Sequence, residues 1–126
     1  MRIRVVFMVS LLAIALMGCP TESQTFDVDV RFSPGEASFL LDGTRLVFVS
    51  AEDTRCPVGQ TCDMAGRAVV DLNFEIGDQI FPITLNDVED TQVSVRNYDF
   101  EFLELTPLPG EDDSAPKVLR INAVRN

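Results

Sequence analysis

From Phe26 onward, apolar side chains recur at every second position, the period of extended strands with one buried face and not of a helical stripe. The first run is the clearest. Phe26, Val28, Val30 and Phe32 alternate with Asp27, Asp29 and Arg31, so one side is apolar and the other charged. Pro34 and Gly35 end it, residues 37–41 are long enough for a short strand, and Asp42-Gly43 is a strong hairpin signal before a strand over residues 45–51. Later, Ala68, Val70, Leu72, Phe74 and Ile76 share one face against Val69, Asp71, Asn73 and Glu75, and Gly77-Asp78 turns the chain. Phe81, Ile83 and Leu85 then alternate with Pro82 and Thr84, and a proline inside a strand predicts an edge position. Residues 92–95 make a short strand. Residues 98–106 make a longer one whose phase slips where Phe102 and Leu103 are both apolar, which predicts a bulge.

An acidic loop containing Pro107, Pro109, Gly110, Glu111, Asp112, Asp113 and Pro116 separates this strand from a last one over residues 118–124. Seven to eight short strands, with no helical stripe and no internal repeat, predict an all-β domain. The expected architecture is an antiparallel β-sandwich of immunoglobulin-like kind, with a small β-barrel as the alternative because strand count does not separate the two.

The N-terminal segment has a different pattern. Arg2 and Arg4 precede an apolar run over residues 5–17 interrupted only by Ser10, and Gly18 and Cys19 follow at once, the layout of a secretory signal. About 13 apolar residues fall short of the roughly 20 that span a bilayer. Leu16, Met17, Gly18 and Cys19 resemble the lipobox of bacterial lipoproteins. That resemblance implies a cleaved helical signal peptide at 1–18, diacylglycerol on Cys19, a lipidated tether at 19–24 and the β domain at 25–126. The alternative is an ordinary cleaved signal peptide, or a free N-terminal segment, with Cys19 a chance thiol. The resemblance also implies a cell-envelope protein held on a membrane through its N-terminal lipid, on the outer membrane if the organism has one. Several acyl chains anchor stably where one binds only marginally.

Removing residues 1–18 takes away Arg2 and Arg4 and no acid, so the net charge falls from −10 to −12. So acidic a domain lacks the basic patch that nucleic acid or anionic headgroups require. With Cys19 assigned to lipid, Cys56 and Cys62 remain as a pair in a compartment that permits disulfides. Their bridge would close a ring of about seven residues and contribute roughly 2 kcal/mol. Zinc would need more ligands than two cysteines in a chain with no histidine, and a redox pair would have two intervening residues instead of five.

The absence of histidine removes histidine bases, serine triads and cysteine–histidine pairs. No glycine-rich phosphate loop appears, since the glycines stand at turns and strand ends. Twenty acids in a small domain make accidental carboxylate pairs common, so a pair by itself does not predict glycoside hydrolysis. Asp87, Glu89 and Asp90, like Glu111, Asp112 and Asp113, lack calcium-loop spacing and read as solvated turns. No enzyme, metal or cofactor is therefore expected.

Glu52, Asp53, Thr54, Arg55, Cys56 and Pro57, then Gly59, Cys62, Ala65 and Gly66, and finally Phe102, Leu103, Leu105, Pro107 and Pro109 resemble a group of small bacterial lipoproteins of uncharacterised function. The likeness covers most of residues 37–124 and departs at Met64, where the group usually carries tryptophan. It implies a β-sandwich lipoprotein and supplies no activity. The cysteine loop, with Glu52, Asp53, Arg55, Pro57 and Gln60, is the candidate binding loop, because a pinned segment on a rigid scaffold loses little entropy on meeting a partner. Against this, Asp53 and Arg55 are a pair able to fix the loop itself. The expected function is a non-enzymatic binding or structural module of the envelope with a possible envelope protein partner. The alternative is a hydrolase inhibitor acting through the same loop.

Overall fold

The computed structural model describes residues 18 and 25–126; the predicted signal peptide, Cys19 and tether lie, Gly18 apart, outside them. Eight strands follow one another: β1 (Phe26–Phe32), β2 (Ala37–Phe39), β3 (Arg45–Asp53), β4 (Ala68–Ile76), β5 (Gln79–Asn86), β6 (Gln92–Val95), β7 (Tyr98–Thr106) and β8 (Val118–Arg125). They form two antiparallel four-stranded sheets, β1-β8-β7-β6 and β2-β3-β4-β5, packed as a sandwich. Neither sheet closes on itself. Read around the molecule, each strand lies beside its sequence neighbours and β8 beside β1, so the connectivity is that of an up-and-down barrel opened at the β1/β2 and β5/β6 seams. The immunoglobulin likeness is thus one of layering, shared by many sandwiches of differing topology.

The alternation read from the sequence is the one that packs. Val70, Leu72 and Phe74 of β4 are fully buried against Phe100, Leu119 and Ile121 from the other sheet, while Asp71 faces solvent. Phe74 meets Tyr98 and Phe100 edge-on at 4.7 and 5.0 Å, geometry that the ring quadrupoles favour. Pro82 lies in β5, which is an edge strand. β2 is shorter than expected, because Leu40 turns inward while Leu41, Asp42 and Gly43 make the hairpin, with Gly43 at φ 84°.

Two bulges interrupt the ladders. The expected one falls at Leu103, between Phe102 and Glu104. A second, at Val49, separates Phe48 from Ser50. It reverses the phase of β3: Leu46 and Phe48 point to the core before it, and Ala51 and Asp53 after it. Without that extra residue, Glu52 would face inward in place of Asp53.

Candidate functional site

Both ends of the sandwich are closed by an aspartate from the β2–β5 sheet that takes a cation from the side of the other sheet, Lys117 just before β8 at one end and Arg125 of β8 at the other. At the end where β3 stops, Asp53 Oδ1 accepts from Arg55 Nε at 2.7 Å, and Oδ2 accepts from Arg55 Nη2 at 2.6 Å and Lys117 Nζ at 2.8 Å. The same Arg55 nitrogen donates to the Leu105 carbonyl of β7 at 2.9 Å, and Lys117 donates to the Pro107 carbonyl. Burial raises the pKa of the Asp53 carboxyl, but the hydrogen bonds from Arg55 and Lys117 outweigh it and hold the group at about 2. Arg55 is raised in turn, chiefly by its bonds to Asp53.

At the other end, Asp42 Oδ2 accepts from the Tyr98 hydroxyl and from Arg125 Nη1 at 3.0 Å, while Oδ1 accepts the Thr44 amide and hydroxyl. Burial opposes ionisation here too, and the bonds from Tyr98, Thr44 and Arg125 prevail, so Asp42 is lowered. Tyr98 is raised by its burial and by the carboxylate it faces. Arg125 also lies over the Tyr98 ring, 5.5 Å from its centroid.

The disulfide loop grows out of the Asp53 end. Cys56 and Cys62 are bonded, with Cα atoms 5.9 Å apart. The neck is zipped by Thr54, whose amide donates to the Arg67 carbonyl at 2.9 Å and whose hydroxyl accepts the Arg67 amide at 3.1 Å. Gly66 is required there because a Cβ at that position would fall 1.6 Å from the Thr54 carbonyl oxygen. The loop leans on the acidic β7–β8 loop: the Val58 amide donates to Pro109 at 2.8 Å, and Gly110 lies against Pro57. Around this composite tip, Met64, Val58 and Leu108 are exposed to 84, 54 and 38 %.

The candidate loop residues therefore divide. Asp53 and Arg55 are turned inward and consumed by the clasp, the plainer of the two roles expected for them, and Pro57 packs between the loops. Glu52 and Gln60 remain exposed, on the outer sheet face and at the loop turn respectively. Lys117 carries no sequence signal of its part in the clasp, since 64 residues separate it from Asp53 and no local pattern announces so distant a pair. Val58 and Leu108 gave no signal either, being single apolar residues in turns.

Much of the oxygen of the acidic runs goes to backbone donors, while Glu89 pairs with Arg67 and Asp90 accepts from the Asn86 side chain. Asp87 caps the Ala68 amide, Glu111 the Leu108 amide, Asp113 the Gly110 amide and Asp112 the Ser114 amide, while Asn86 collects the amides of Val88, Glu89 and Asp90. Among the described residues no three His, Cys, Asp or Glu side chains converge on a common point. Nor, among those residues, is any helix long and apolar enough to cross a membrane. The chain matches no protein-family profile, no curated protein and no solved structure.

Proposed function

We infer that this protein is a lipid-anchored lipoprotein of the bacterial envelope whose β-sandwich is a non-enzymatic binding or structural module, carrying its disulfide loop at the end away from the membrane. The observation behind this reading is the polarity of the sandwich. Phe26, where β1 begins, pairs with Arg125 at the Asp42 end, while the cysteine loop and the β7–β8 loop form the Asp53 end. Lipid on Cys19, a few residues before Phe26, would hold the first end against the bilayer and project the second. A tip stiffened by a disulfide, a zipped neck and an ion clasp is pre-organised, so little is lost in ordering it on contact.

The exposed Met64 and Val58 beside the disulfide favour a second reading, in which the tip inserts into a hydrolase as an inhibitor. The anchor is tested by acyl labelling and fractionation: Cys19→Ser should abolish the label and move the protein to the soluble fraction. Membrane retention without label would sink the lipoprotein assignment. A pull-down from detergent-solubilised envelope separates the two roles, since an inhibitor retains a soluble hydrolase and an envelope module retains an envelope component. Loss of the retained protein on Met64→Asp would assign the contact to the tip.

A further inference from the structure

The two outer faces of the sandwich differ in chemistry. On the β1-β8-β7-β6 sheet, Asp27, Asp29, Asp99, Glu101 and Glu104 point outward with only Arg31 and Arg120 as cations. On the other sheet, the half nearer the Asp42 end presents two rows: Phe39, Arg45, Glu75 and Ile80 across the four strands, then Ala37, Val47, Asn73 and Pro82. Phe39 is 68 % exposed and Ile80 59 %, and Leu41 beside them in the hairpin is 68 % exposed. The charges in these rows are Arg45 and Glu75, 2.8 Å apart and mutually neutralised. An acidic chain thus keeps one apolar, neutral half-face, and exposed apolar area of this kind marks interaction surfaces.

We propose that this half-face pairs two copies of the chain about a two-fold axis running along the strands between β3 and β4. The row composition supplies the complementarity. Such an axis sets β2 over the partner's β5 and β3 over the partner's β4 at unchanged height, so Phe39 covers an Ile80 and Arg45 covers a Glu75, each contact made twice as an isologous interface requires. The two arginines and two glutamates then alternate in sign around the axis. The acidic faces point outward on opposite sides, where their repulsion is smallest. Both Phe26 ends lie on one side of the pair, so the proposed anchors would enter one membrane; this consequence alone rests on the lipoprotein reading.

The test uses the full chain in two differently tagged, co-expressed copies, solubilised in detergent. Wild-type copies should co-purify. Arg45→Glu and Glu75→Arg should each weaken self-association by at least about tenfold, the scale of like charges set face to face. Mixing the Arg45→Glu chain with the Glu75→Arg chain should restore pairing, which loss of folding in either variant could not do. A Phe39→Cys copy should cross-link to an Ile80→Cys copy, and two Phe39→Cys copies should not, being about 14 Å apart laterally over three strand spacings. Wild-type copies that never co-purify, or charge variants that pair as well as wild type, would overturn the proposal, as would Phe39–Phe39 cross-links. Binding of a monomeric Cys19→Ser chain to phosphatidylcholine vesicles through Phe39 and Ile80 would assign the face to lipid instead. A Cys19→Ser chain that pairs in solution upholds the dimer whatever becomes of the anchor.

Discussion

Asp53 shows how one residue can be both costly to bury and firmly ionised. Its side chain is only 8 % exposed and carries two cations, neither of which has another carboxylate partner among the described residues. Because the folded pKa, about 2, lies below the ordinary 3.8, the clasp's stabilisation is fully present above the unfolded value and is lost as pH falls toward 2. The difference amounts to about 2 kcal/mol. Asp53→Asn should therefore destabilise the domain by about 2 to 3 kcal/mol at neutral pH, since it strands Arg55 and Lys117, and should flatten the stability profile between about pH 5 and 2. Urea melts of wild type and variant across that range would show it, and a variant with the wild-type acid slope would remove Asp53 from the account. Gly66 gives a second residue-scale outcome. Gly66→Ala drives a methyl into the Thr54 carbonyl, so the neck must open, and amide exchange at Thr54 and Arg67 should accelerate even if the sandwich persists. Unchanged protection at both amides would mean that the backbone absorbs the clash.

At the scale of the elements, strand phase was legible because each strand buries one face, and a period of two leaves a direct mark on apolar spacing. β4 is the sharpest case. Phe74→Ala should cost about 3 to 5 kcal/mol, as removal of a fully buried ring does, whereas Asn73→Ala, one residue away on the outer face, should change stability by less than about 0.5 kcal/mol. Denaturant melts that reversed this order would place the strand in the opposite register. The Leu103 bulge was legible from two adjacent apolar residues, and the Val49 bulge had a fainter signal of the same kind, the shift of inward positions from Leu46 and Phe48 to Ala51 and Asp53. That shift escapes notice because Val49 is apolar and Asp53 is a charge expected outside. The cysteine loop was legible as a pinned segment. Its clasp was only half legible: Asp53 and Arg55 are two residues apart, but Lys117 and the Leu105 carbonyl arrive through tertiary structure.

For the whole molecule, the seams set the problem that the clasps answer. No backbone ladder crosses β1/β2 or β5/β6 among the described residues, so beyond the shared core the sheets are joined at their two ends, by the side-chain clasps and by the Val58–Pro109 backbone bond between the loops. β3 carries one clasp from its last residue and the other from the hairpin just before its first, and nine residues of strand separate them by about 30 Å. At that distance, with no shared partner, the effects of two substitutions should add. Asp42→Asn and Asp53→Asn together should lower unfolding stability by the sum of the single effects to within about 0.5 kcal/mol, measured as a double-mutant cycle in urea at neutral pH. Asp42→Asn should be the milder, because the amide oxygen can keep the Thr44 amide and hydroxyl at the Oδ1 position, the new NH2 can donate to the Tyr98 hydroxyl oxygen, and Arg125 keeps its place over the Tyr98 ring. A double variant far less stable than the sum would show that the sheets separate as rigid plates once one end is released, and that the core alone does not hold their register. A double variant no worse than Asp53→Asn would mean that the Asp42 end adds nothing to what the aromatic packing of Phe26, Phe74 and Tyr98 already secures.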